Sequence, residues 1–322
     1  MIQVISQNPD SQEARTDGMI LAEDIQLGIC SLQSRLWLRS MKSHMPDFST
    51  VIELNHIKKR LEIWKQFLNR IETSAADAIN FTPGQHWAMR FYYGMEDHSK
   101  NGWHTMVYFR QKSLVYDGIA LYHLSNLHLY SNIRILSQLS KDLMPHIQLE
   151  DRGDVYKQAH QRRNTYAKEW AKSSSSRRAL YHAASILGLY NTLPTPLMEG
   201  IDPIIYVTLS VAALVVWAFA SFAIHNCEAC MFEMQILASS GELPTVELTR
   251  WSHINADSAL EKEKEDWIET KHSTIFLSGT VLCRCTLSSI VSLYQSCLPK
   301  DWDVANTIAP GIFQTEDAGT GG

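Results

Sequence analysis

The sequence predicts an all-α fold, a multi-helix globular bundle, on three observations. Apolar residues recur at helical spacing through most of the chain. Only 15 Gly and 10 Pro punctuate 322 residues, too few for many short strands joined by turns. A hydrophobic share of 45% with 20% charged residues belongs to a folded chain, since disorder needs far less apolar surface. At about 150 residues per domain the length suits one large domain or two ordinary ones.

Taken in order, residues 1–20 and 315–322 are polar and Gly-bearing and are expected to be disordered ends. Residues 21–314 are expected to form the helical domain. Ile57, Leu61, Trp64, Leu68 and Ile71 form one stripe of an amphipathic helix, with Lys58, Lys59, Glu62, Lys65, Asn69 and Arg70 on its wet side. In 118–140 the apolar residues Ile119, Leu121, Tyr122, Leu124, Leu127, Leu129, Tyr130, Ile133, Leu136 and Leu139 surround the helix axis, which predicts a buried helix. A further helix is expected from Arg177 to Leu189, capped by Ser176 and ended by Asn191 before Pro194 and Pro196. Another begins after Asp202-Pro203, where Asp caps and Pro fits the first turn. Residues 259–271 read as an exposed helix with an apolar edge at Leu260, Trp267 and Ile268, and a last helical pair covers about 273–297 and 301–313.

Residues 204–224 contain no charge and at 1.5 Å per residue would reach roughly 31 Å, the thickness of a bilayer core. The flanks argue for a buried core helix instead. The nearest Lys or Arg residues are Arg178 and Arg250, whereas Glu199, Asp202, Glu228 and Glu233 lie closer. Trp217 and Phe219 also sit inside the run rather than at its ends. Both readings, core helix and membrane span, predict the same hydropathy.

The net charge of −5 disfavours a basic nucleic-acid-binding chain. The first residues carry neither a basic nor an apolar leader segment, and six Cys make no disulfide scaffold, so an intracellular, reducing setting is expected. The sequon Asn80-Phe81-Thr82 then reads as a chance match. His225, Cys227, Cys230, Cys283 and Cys285 include zinc-ligand types, but the Cys283/Cys285 spacing does not suit a zinc knuckle and core cysteine is the expected use. His123 and His128 are five apart and do not share a helix face. Glu150, Asp151 and Asp154 are similar to the acid cluster by which helical terpene cyclases hold magnesium, yet no second metal motif completes such a site. The zinc-protease, serine-hydrolase and phosphate-loop motifs are absent, and no enzyme activity is expected. Residues 157–178 hold seven basic side chains against Glu169, a local charge of +6, and end in Ser173–Ser176. A basic connection at about 157–176 is expected there, either a solvated linker or a divided nuclear-localisation signal with Arg162-Arg163 and Arg177-Arg178 as its halves.

Several segments together resemble a family. Leu180-Tyr181-His182-Ala183-Ala184-Ser185-Ile186-Leu187, a Pro-containing break, and then Leu214-Val215-Val216-Trp217-Ala218 resemble the fungal-specific transcription factor regulatory domain, also called the middle homology region. The branch in which it follows a two-Cys/two-His zinc finger is the most similar. Leu121-Tyr122-His123-Leu124, Leu127-His128-Leu129 and Leu136 resemble its upstream helix, and Leu293, Cys297-Leu298, Trp302 and Ala305 its closing helices, so the likeness spans about 50–310. It implies a non-catalytic, helical, nuclear regulatory region that works through transcription machinery, co-regulator proteins or a bound effector, with a homodimer among its expected partners. Tyr181, His182, Leu187 and Trp217 are then core residues, Trp217 packing against the helix that holds Leu180–Leu187. No Cys-x-x-Cys with a following His pair lies near the N-terminus. Family-level zinc and DNA binding would thus belong to a finger absent from this chain. No cofactor, no sequence-specific DNA contact and no membrane span are expected of the chain itself.

Overall fold

The computed structural model describes residues 20–41, 48–78, 103–142, 153–198, 201–223, 245–251, 258–269 and 274–313. The described residues are mostly helical, as the periodicity predicts. The expectations for 1–19, Asn80, Glu150–Arg152, His225–Cys230 and 315–322 fall outside the described residues. Within the span expected as one helical domain, the chain divides into two compact units.

The first unit takes in residues up to Arg35, Met45–Tyr122 and Pro194–Ile201. It holds most of α1 (Ala22–Met41), α2 (Phe48–Ala78), the start of α3 (Trp103–Tyr130) and the short α7 (Thr195–Met198). The stripe predicted for α2 is its core face: Ile57, Leu61, Trp64 and Leu68 are buried. Against it α1 turns Ala22, Ile25, Ile29 and Leu32 inward. Gly28 is what lets the Trp64 ring close on α1, because a Cβ there would lie 2.3 Å from the indole. The Gln26 side-chain amide donates to the Leu114 carbonyl at 2.7 Å, and the Tyr122 hydroxyl donates to Glu62 at 3.1 Å.

The second unit takes in Leu36–His44, His123–Leu193 and Asp202–Gly322. After the end of α3 come α4 (Ile133–Asp142), α5 (Asp154–Ala171), α6 (Ser174–Asn191) and α8 (Pro203–Phe222). Beyond these lie β1 (Thr245–Glu247), α9 (Ser258–Glu269), β2 (Thr274–Leu277), β3 (Thr280–Val281), α10 (Leu287–Gln295) and α11 (Val304–Ile308). Helix α8 is the hub and packs on α4, α5, α6, α10 and α11, most extensively on α6. It starts as predicted: the Asp202 carboxylate accepts from the Ile204 N–H at 2.8 Å and Pro203 fills the first turn. Its two buried hydroxyls cost little because Thr208 and Ser210 donate back to the carbonyls of Ile204 and Tyr206. The helix is long and apolar enough to cross a membrane, but 78% of that apolar window is buried inside the protein. The core-helix reading of 204–224 accounts for its hydropathy with surface already covered.

Four expectations are corrected. The single helix over 118–140 is two, broken at Ser131-Asn132. There the Asn132 side chain accepts from the Ile135 N–H at 3.2 Å and its own N–H donates to the Tyr166 hydroxyl oxygen at 3.0 Å. Helix α6 starts earlier than Arg177, with Ser173 rather than Ser176 as its cap; Ser173 Oγ accepts from the Ser176 N–H. The basic connection is α5 followed by a turn at Lys172-Ser173, since Gln, Lys, Arg and Ala favour helix and Ala167, Trp170 and Ala171 supply a buried face. Residues 274–281 are a hairpin, not helix. Ser278 and Gly279 have φ of 50° and 75°, the two positive values that a tight two-residue β-turn needs. A small sheet of order β1-β2-β3 results, with β1 and β2 parallel. Glu247 fixes the turn by accepting from the N–H groups of Ser278 and Gly279, each at 2.9 Å.

Candidate functional site

Helix α6 carries five of the eight residues singled out in the sequence, and its two arginines are spent inside the fold. Arg177 is buried and donates to the Ile268 carbonyl. Arg178 grips Glu265 with both terminal nitrogens, at 2.9 and 3.3 Å, and its guanidinium lies 6.0 Å from the Tyr130 ring centre. Arg163, on α5, is bound to the buried Asp142. Only Arg162 is exposed without a hydrogen bond or ion pair among the described residues. The paired arginines are therefore not presented as two exposed halves of an import signal. The reason is geometric: Arg163, Arg177 and Arg178 are each bound to a partner within the fold, and Arg162 of the four is left facing water.

The same helix brings together what spacing alone left apart. His182 Nδ1 of α6 meets His123 Nδ1 of α3 at 3.0 Å, and both rings are buried. One nitrogen must donate and the other accept, so this contact requires at least one neutral ring. Tyr130 stacks on His182 at 5.9 Å with planes 9° apart, and Tyr181 meets it edge-on at 4.9 Å. Tyr181 in turn lies under the Lys264 ammonium, 4.6 Å from its ring centre. Leu187 and Trp217 are buried, whereas Tyr181, expected in the core with them, is only half-buried. The Tyr-His pairs at 122–123 and 181–182 were visible as motifs, but no local signal told that their histidines touch.

His128, one turn and more beyond His123, is enclosed near the end of α3. Burial pushes its imidazole down to about 4. An unfolded chain would take up that proton with a pKa near 6.5, so His128 contributes stability that is complete above about pH 6.5 and is lost as pH falls toward 4. The ring keeps part of its surface in water, so we expect a loss of about 1–2 kcal/mol between pH 7 and pH 5. Urea titrations at both pH values check this. In His128→Asn the difference should shrink by that amount.

On the outer side of α5 a groove of about 490 Å³ is lined by Gln158, Gln161, Arg162, Thr165, Tyr166 and Glu169. Sequence reasoning found Arg162 but not its setting, because the other five residues are ordinary helix-surface types. Among the described residues no group of three or more His, Cys, Asp or Glu side chains is placed to hold a metal. Cys283 is buried and Cys285 exposed, so these two thiols do not converge. No family model, no curated protein and no solved structure matches this chain.

Proposed function

We propose that this chain is the regulatory, non-catalytic region of a fungal-type transcription factor, acting in the nucleus through co-regulator proteins, transcription machinery or a bound effector. One observation carries the reading. Parts of three segments that bear the family resemblance, far apart in sequence, meet in the second unit, which takes the first of them from His123 onward. His123 of the first touches His182 of the second, and α6, which holds the second, packs along α8, which holds Leu214–Ala218. Their order in the chain and their joint packing support a helical regulatory core rather than a set of chance patterns.

Sequence-specific DNA reading and zinc binding fall to a separate two-Cys/two-His finger, and no cofactor is assigned to this chain. Its exposed basic helix face also carries Glu169, which disfavours a phosphate backbone laid along it. A second copy of the chain stands beside co-regulators as an expected partner. The burial of α8 supports a core helix over the alternative, a membrane-associated protein spanning at 204–224.

The test is a tethering experiment. The chain fused to an unrelated DNA-binding domain should change transcription of a reporter carrying that domain's site, and a tagged chain should concentrate in nuclei. No change in the reporter together with a cytoplasmic tag would overturn the reading. Recovery only in carbonate-resistant membranes would favour the span at 204–224 instead.

A further inference from the structure

The groove on α5 has a chemical direction. Gln158, Gln161, Arg162, Thr165, Tyr166 and Glu169 recur at spacings of three and four and so form adjoining rows along one side of the helix. Arg162 lines the groove within a turn of the Gln158 and Gln161 amides and has no hydrogen bond or ion pair of its own among the described residues. Next come two hydroxyls. The Tyr166 oxygen accepts from the Asn132 N–H at 3.0 Å and keeps its own hydrogen to donate. Glu169 follows seven residues after Arg162, about 10 Å along the axis, and is an acceptor only.

A cation with amide donors, then hydroxyls, then an anion is the complement of a carboxylate, a peptide group and an ammonium in that order. An extended peptide of three residues spans at most about 10 Å, the same separation. A polyanion fits badly. Duplex DNA carries one charge per about 1.7 Å of its axis and would press phosphates against Glu169.

We propose that the α5 groove binds a short zwitterionic ligand of the peptide class. Arg162, with the Gln158 and Gln161 amides, holds the carboxylate. Thr165 and Tyr166 hydrogen-bond the peptide group between the charges, and Glu169 holds the ammonium. This site does not depend on the transcriptional reading, since its residues and their chemistry stand whatever the chain regulates.

The test is calorimetric titration of the full chain with Gly-Gly-Gly, its N-acetyl derivative and its C-terminal amide. Circular dichroism checks that each variant keeps its helix content. Triglycine should bind saturably with a Kd in the millimolar range or tighter, and each blocked derivative should bind at least about tenfold more weakly, a difference of 1.4 kcal/mol. Arg162→Gln should erase the distinction between triglycine and its amide. Glu169→Gln should erase the distinction between triglycine and its acetyl form. Both side chains are exposed, so neither change threatens folding. No saturable binding by about 10 mM triglycine, unchanged binding in Arg162→Gln, or equal occupancy by inorganic phosphate would each overturn the proposal.

Discussion

Replacing Trp217 with alanine should destabilise the second unit by about 3–5 kcal/mol, the usual cost of truncating a large core aromatic. Trp217 is 9% exposed on the helix that touches α4, α5, α6, α10 and α11, so the space it vacates has no single neighbour able to collapse into it. Its ring also meets Phe222 edge-on at 6.1 Å, a contact the alanine loses. A matched control is at hand in Trp37, which is 52% exposed on α1. Trp37→Ala should stay within about 0.5 kcal/mol. Urea denaturation followed by circular dichroism measures both. A loss below about 1 kcal/mol for Trp217→Ala would mean that α8 is not the hub its burial indicates.

Why the sequence foretold some elements and not others follows from where each signal is stored. The α2 stripe and the start of α8 are local: period and cap lie within a few residues, and both appear where expected. The break at Ser131-Asn132 is also local, but the apolar residues on either side keep helical spacing, so periodicity runs straight across it. What stops the helix there is the Asn132 side chain capping α4, together with a distant hydroxyl on Tyr166. The hairpin at 274–281 carried a readable Ser-Gly turn, obscured by the apolar residues on both sides of it. Its strands persist because Glu247, about thirty residues away, holds the turn amides, a contact with no trace in local pattern.

The candidate site divides in the same way. Arg162, Arg163, Arg177 and Arg178 stood out as charge, but charge does not say which guanidinium faces water. Arg177 and Arg178 are claimed by α9, and Arg163 by Asp142, both remote in sequence. His123 and His182 are 59 residues apart and meet only because α3 and α6 cross. Contacts of that kind are set by tertiary packing, and a single sequence holds no record of them.

The buried acid Asp142 should show the second large effect. Three partners converge on its carboxylate at the end of α4, all from α5: the Tyr156 hydroxyl at 2.5 Å, His160 Nδ1 at 2.9 Å, and Arg163 through both Nε, at 2.8 Å, and a terminal nitrogen. Burial alone would push the carboxyl up. The hydrogen bonds from Tyr156, His160 and Arg163, with the Arg163 charge, outweigh it and hold Asp142 below its ordinary value. Its stabilising contribution is therefore complete above the unfolded carboxyl's pKa, near 3.9, and is lost as pH falls through the lower folded value. Asp142→Asn keeps the shape but strands the Arg163 charge, whose side chain is only 16% exposed. We expect a loss of about 3 kcal/mol at pH 7, the lower end for breaking a buried pair, because some water still reaches the guanidinium. The exposed pair Arg35–Glu53, with both side chains 41% exposed, supplies the contrast. Glu53→Gln should cost under about 1 kcal/mol. Adding Arg163→Gln to Asp142→Asn should recover part of the loss, since the stranded charge is then gone. A double-mutant cycle by urea denaturation reads the coupling, and the acid limb of stability below about pH 4 should flatten in Asp142→Asn. Equal losses at Asp142 and Glu53 would show that the α4–α5 clamp contributes no more than a surface ion pair.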